Sequence, residues 1–182
     1  ALAAVSLEKK SAYEAVYRPS GQDLTFSLLG ALGLIAGCVL SFRGSIAQML
    51  VSLLGLLAGL SLGAGAVLRW KAKKPSAAFS VFVVLFYVAK LFRDFRHWEI
   101  NPAILDYCFS LFAMIAFMLA SYHAGAFSFE RGARRRLAFY SLLGVLFGAI
   151  SLAGAQLPEL LIYAGSVFWM LACAQQMLRR SV

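Results

Sequence analysis

Apolar positions in this chain fall in long unbroken runs. They do not alternate as in a half-buried strand, nor form the one-sided stripe of a helix lying on a soluble core. Six runs stand out, at 23–42, 46–68, 77–92, 103–122, 137–155 and 157–178. A helix needs ~20 apolar residues, at ~1.5 Å each, to cross a ~30 Å hydrocarbon layer. The third run is shortened by Lys90, and only the turn at 154–159, with Pro158, separates the fifth from the sixth. Backbone in lipid must satisfy its own hydrogen bonds, and runs of this length without alternation do not suit barrel strands. The pattern predicts an all-α, polytopic transmembrane bundle of six spans (22–182), preceded by a cytoplasmic or interfacial segment (1–21).

Composition agrees. Of the 182 residues 62% are hydrophobic and 14% charged, where an ordinary soluble domain has about a quarter charged. The placement of the charges then predicts orientation, because Lys and Arg accumulate in cytoplasmic loops. Thirteen of the 17 basic residues fall on one side: Lys9, Lys10 and Arg18; Arg69, Lys71, Lys73 and Lys74; Arg131, Arg134, Arg135 and Arg136; Arg179 and Arg180. Arg43, Lys90, Arg93 and Arg96 fall on the other. Both termini are therefore expected inside a bacterial cytoplasmic membrane. The net charge of +9 marks topology and contact with anionic lipid. It implies no nucleic acid, since the basic clusters are short and lack interleaved stacking aromatics.

The chain opens with ALAAVSL, directly followed by Glu8, Lys9 and Lys10. Two readings are open: the remnant of a signal peptide, which would invert the charge asymmetry, or the inner end of a further membrane helix preceding this sequence.

Helices in lipid associate through close backbone approach and a few polar contacts. Gly55, Gly59 and Gly63 repeat at four-residue intervals in the second span, and Gly33 with Gly37 and Gly144 with Gly148 share that spacing. These are expected packing faces. Ordinary internal packing, with the first two spans paired as a hairpin, stands beside a sliding interface or a homodimer seam. Trp70, Tyr122 and Tyr140 fall near the proposed inner boundary and Trp98 near the outer one, as interfacial aromatics do. Trp169, mid-way along the last span, faces either lipid or an internal cavity.

Chemistry has few places to reside. Cys38, Cys108 and Cys173 lie inside spans without CxxC spacing, and His97 and His123 fall on opposite sides, so no metal site is expected. HExxH, GxGxxG and GxxxxGK[ST] are absent, no cofactor is implied, and the chain does not read as an enzyme. The strongest polar signal is Asp106, about one turn inside the fourth span after the Asn101-Pro102 helix start. A carboxylate there needs a proton, water or a partner. Lys90 is the expected partner, with Arg93 and Arg96 as alternatives, although Lys90 also has Asp94 four residues on. The functional expectation is an outer cavity between the third, fourth and sixth helices, with Asp106, Lys90, Tyr107, His97, Arg93, Arg96, Glu99 and Glu159 as ligand-binding residues. The competing expectation is a structural ion pair clamping the third and fourth helices. RDFRHWEIN (93–101) reads as a charged, aromatic outer loop, and 130–136 as a docking surface for a cytoplasmic subunit or anionic lipid.

The stretch from Leu91 to Arg180, above all ILDYCFSLFAMIAFMLASYH around Asp106, resembles a group of uncharacterised multispan proteins from Firmicutes-like bacteria. That resemblance covers about half the chain and brings no activity. In size and six-helix layout alone, the chain is similar to the substrate-binding subunits of energy-coupling-factor vitamin transporters, with Gly33 and Gly37 near that family's small-residue coupling pattern. Two function classes follow: a small-solute binding or transport subunit anchored on Asp106, and a non-catalytic scaffold that packs against other membrane subunits or a second copy.

Overall fold

The computed structural model describes residues 20–42, 45–98, 104–129 and 131–178, without the side chains at 97, 98 and 104–106. Among these residues run α1 (Gly21–Leu40), α2 (Ile46–Trp70), α3 (Ala77–Trp98), α4 (Ile104–Ala126), α5 (Arg134–Ser151) and α6 (Leu157–Leu178). Single 3-10 turns at Phe127–Phe129 and Leu152–Gly154 extend α4 and α5, and the described residues hold no strand. The segment 1–19, Asn101, Pro102 and Glu99 lie outside the described residues.

Helices adjacent in sequence pack against each other, and α1 closes on α6, so the six form a ring of antiparallel neighbours. One end carries the start of α1 and Arg69; the other carries Ser41, Lys90 and the start of α6. Leu34, Phe86, Tyr87, Met114, Phe117 and Met170 are fully buried at its centre, while Leu32, Leu53, Leu60, Val81, Leu85 and Leu146 face outward. So broad an apolar exterior is the surface of an integral membrane protein. Five helices, α1, α2, α4, α5 and α6, are long and apolar enough to cross a membrane. The sixth, α3, has the length but carries Lys90, Arg93, Asp94 and Arg96 in its last turns.

Local chemistry explains the element ends and the buried polar groups. Ser45 caps α2, its hydroxyl accepting from Gln48 N at 3.4 Å. The far end of α2 closes with Lys73 N donating to Leu68 O at 2.9 Å, which sets Ala72 at φ 52°, the left-handed position that usually holds glycine. Ser61, Ser121, Ser141, Ser151 and Ser166 each donate to the carbonyl four residues back, so these five hydroxyls are satisfied within their own helices.

Two expectations are corrected. The stretch 93–98 is not a loop, because α3 continues to Trp98; 99–101 lie outside the described residues. Asp94 pairs with Lys90 one turn back and with its neighbour Arg93, so these charges are partly compensated within the helix and do not stop it. The glycines of α1 face α6 and not α2. A Cβ on Gly33 would lie 2.9 Å from Gly165 Cα, and one on Gly165 would lie 2.7 Å from Gly30 O and Leu34 N. Backbone meets backbone at this crossing. In α2, Gly59 packs on Ile35 and Ala31, Gly55 on Cys38 and Phe86, and Gly63 only loosely on Ala31. Gly144 and Gly148 seat the Phe117 ring against α5.

Candidate functional site

Lys90 sits on the same face of α3 as Val83, Phe86 and Tyr87, at i+7, i+4 and i+3, and that face points into the ring. The side chain is therefore carried inside, 1% exposed. A buried ammonium requires a counter-charge, and Asp94 supplies it one turn on: Lys90 Nζ donates to Asp94 Oδ2 at 2.6 Å. Asp94, itself 4% exposed, also accepts from Arg93 Nε at 2.8 Å. The outer edge of the Arg93 guanidinium lies 3.9 Å from Glu159 at the start of α6. Lys90 Nζ stands 5.8 Å from the centroid of the Tyr163 ring. Two cations and two carboxylates thus make a neutral chain that ties α3 to α6.

This chain borders a cleft of about 190 Å³. Ser41 of the α1 end, Gln48 and Ser52 of α2, Lys90 and Arg93 of α3, and Glu159 of α6 give it polar walls; Phe86 and Ile162 form its apolar floor. Gln48 Nε2 donates to Ser41 O at 3.1 Å, fixing the α1–α2 rim. An ammonium has three N–H donors, of which Asp94 takes one.

Three of the sequence-predicted residues, Lys90, Arg93 and Glu159, meet at this cleft. Arg96 is exposed on α3 away from it, and Tyr107 is half-buried on α4 away from it. His97 ends α3 and Asp106 lies in the first turn of α4, with both side chains outside the described residues; Glu99 lies outside altogether. Among the described residues the cleft is lined by α1, α2, α3 and α6, with no α4 side chain among them; the side chains at 104–106, at that end of α4, lie outside the described residues. The closure of α1 onto α6 turns the Lys90 face of α3 toward the first two helices. Gln48, Ser52 and Gln156 were missed, although each is an uncharged polar residue at or just inside the edge of an apolar run. That signal is weak because a single Gln or Ser at a span end is common.

A second, smaller cleft of about 50 Å³ opens from the Arg69 end, lined by Ser61, Gly65, Arg69, Ser80, Val83 and Trp169 among others. Trp169 therefore lines an internal cavity and is 4% exposed. Its indole Nε1 is buried without a hydrogen-bond partner among the described residues. Arg69 reaches across to Ser27 Oγ at 3.4 Å.

The two clefts share α2, α3 and α6 as walls. On α3, Val83 lines one and Phe86 the other, three residues or ~4.5 Å apart along the helix. Between them lies a layer of Leu34, Ala58, Phe86 and Tyr87. Tyr87 donates to Ser166 Oγ at 2.8 Å, and Ser166 donates onward to Ile162 O at 2.7 Å. Phe117 braces Tyr87 from α4, with ring centroids 5.5 Å apart.

Among the described residues no group of three or more His, Cys, Asp or Glu is placed to hold a metal, and Cys38, Cys108 and Cys173 are free. Compared with protein families, with proteins of curated function and with solved structures, the chain has no significant match.

Proposed function

We propose that this protein is a six-span membrane protein that binds a small polar solute at the Lys90 end and passes it between α2, α3 and α6. One observation carries this reading: two clefts bearing polar side chains lie toward opposite ends between the same helices, with the buried Tyr87–Ser166 contact between them. A carrier with its path closed in the middle has this anatomy. The sixth span is α3, whose outward Val81, Leu85 and Phe92 are exposed like the lipid faces of its neighbours. Its charges are inward, paired, or at the helix end, where they are affordable in a membrane. The positive-inside asymmetry supports both termini in the cytoplasm and the Lys90 cleft outside; an external signal from a reporter fused after Arg180 contradicts this.

The cleft holds Lys90 and Arg93 beside Asp94 and Glu159, which suits a zwitterionic or small anionic solute that exchanges one of these ion pairs for its own. Asp106, at the same end of the bundle, remains in this reading as a further carboxylate. A thermal-shift screen of amino acids, small carboxylates and amines tests it. A solute that raises the melting temperature of the wild type and fails to do so in Arg93→Gln is expected, with Asp106→Asn showing whether α4 contributes. No response to any solute, together with co-purifying membrane partners, favours the scaffold role. That alternative loses its main surface here, because Gly33, Gly37, Gly55, Gly59, Gly144 and Gly148 all pack inside the bundle.

A further inference from the structure

A groove of about 710 Å³ lies at the Arg69 end between α3, α4 and the start of α5. It adjoins the smaller Arg69 cleft, with Ser80 lining both, and α3 and α4 meet there, where a Cβ on Gly125 would come within 2.8 Å of Ser80 Cβ. Val81, Val84, Leu85 and Phe129 make its walls apolar, and Arg131 and Arg136 stand at its mouth.

We propose that this groove holds an anionic phospholipid, one acyl chain against the α3 valines and Leu85 and the phosphate between Arg131 and Arg136. The volume lies within the roughly 300–1,000 Å³ of built small-molecule sites. Val81, Leu85 and Phe129 are exposed on the outside of the ring, so the apolar part opens to the bilayer and a lipid is the occupant at hand. Charge complementarity selects the headgroup. Arg131 and Arg136 are exposed and have no ion pair among the described residues. Arg134, by contrast, is committed to the bundle, donating from Nε to Met177 O at 2.6 Å. Three arginines also begin α5 at its positive dipole end with no side-chain cap, an arrangement that an anion relieves.

Native mass spectrometry of the full chain in neutral detergent, titrated with dioleoyl-phosphatidylglycerol or dioleoyl-phosphatidylcholine, tests the proposal. The wild type is expected to prefer the anionic lipid. R131Q/R136Q is expected to bind it roughly thirtyfold more weakly, the loss of two arginines at a membrane surface. Arg135→Gln, which removes one positive charge from outside the groove, is expected to bind as the wild type does. Val84→Phe, which fills the groove and leaves the arginines, is expected to lose affinity as well. Equal binding of the two lipids, or a loss in Arg135→Gln equal per charge removed to that in the double variant, overturns the site in favour of general surface attraction. Unchanged binding in Val84→Phe overturns the acyl-chain contact.

Discussion

Tyr87 on α3 donates a 2.8 Å hydrogen bond to Ser166 on α6, and the contact lies in the layer that separates the two clefts. Ser166 keeps its own bond to Ile162 O, so removing the tyrosine hydroxyl leaves no orphaned group on α6. Interhelical hydrogen bonds in membranes contribute about 0.6 kcal/mol on average. Tyr87→Phe is expected to lower stability by that amount, and a double-mutant cycle with Ser166→Ala measures the coupling.

Lys90 is so deeply buried that its charge depends on Asp94. Asp94→Asn leaves the ammonium uncompensated, and breaking one side of a buried pair costs ~3–5 kcal/mol. Replacing both by apolar residues, as in K90M/D94L, is expected to restore most of that loss. Chemical unfolding in detergent of the two variants compares them directly.

The crossing of α1 and α6 depends on missing side chains. Gly165→Ala places a methyl 2.7 Å from backbone atoms of Gly30 and Leu34 and is expected to cost ~1–3 kcal/mol by overpacking. Gly65→Ala meets nothing within 4 Å and is expected to be neutral or stabilising, since alanine is the better helix former by ~1 kcal/mol. Melting temperatures in the same detergent check the contrast.

Ala72 occupies a left-handed conformation, φ 52°, at the end of α2. Such a conformation costs an L-residue about 1 kcal/mol that glycine avoids. Ala72→Gly is expected to raise the melting temperature, by roughly the equivalent of that energy, without changing solute binding.

The helices were legible because each is a long apolar run, and their ends fall within a few residues of those runs wherever the chemistry is simple. The end of α3 was not, because Lys90, Arg93 and Asp94 read as a polar loop unless their helical spacing is allowed to pair them. The candidate site was legible as charge: Lys90, Arg93 and Glu159 stand out in a chain with so few charged residues. Its walls were hidden, because helices that are apolar on every face carry no mark of which neighbour they meet. Gly33 illustrates the limit. Its spacing announced a close contact, but nothing in the sequence distinguished Gly165 on α6 from the glycines of α2 as its partner.

The central claim is that the two clefts are the opposite ends of one path. It is tested most directly by single cysteines placed in each, in a chain whose native Cys38, Cys108 and Cys173 are replaced by serine or alanine. Ser52→Cys lines the Lys90 cleft and Gly65→Cys the Arg69 cleft. In sealed vesicles of known orientation, a membrane-impermeant thiol reagent is expected to modify Ser52→Cys only from the Lys90 side and Gly65→Cys only from the other. Modification of both from the same side, or of neither from either side, contradicts the path.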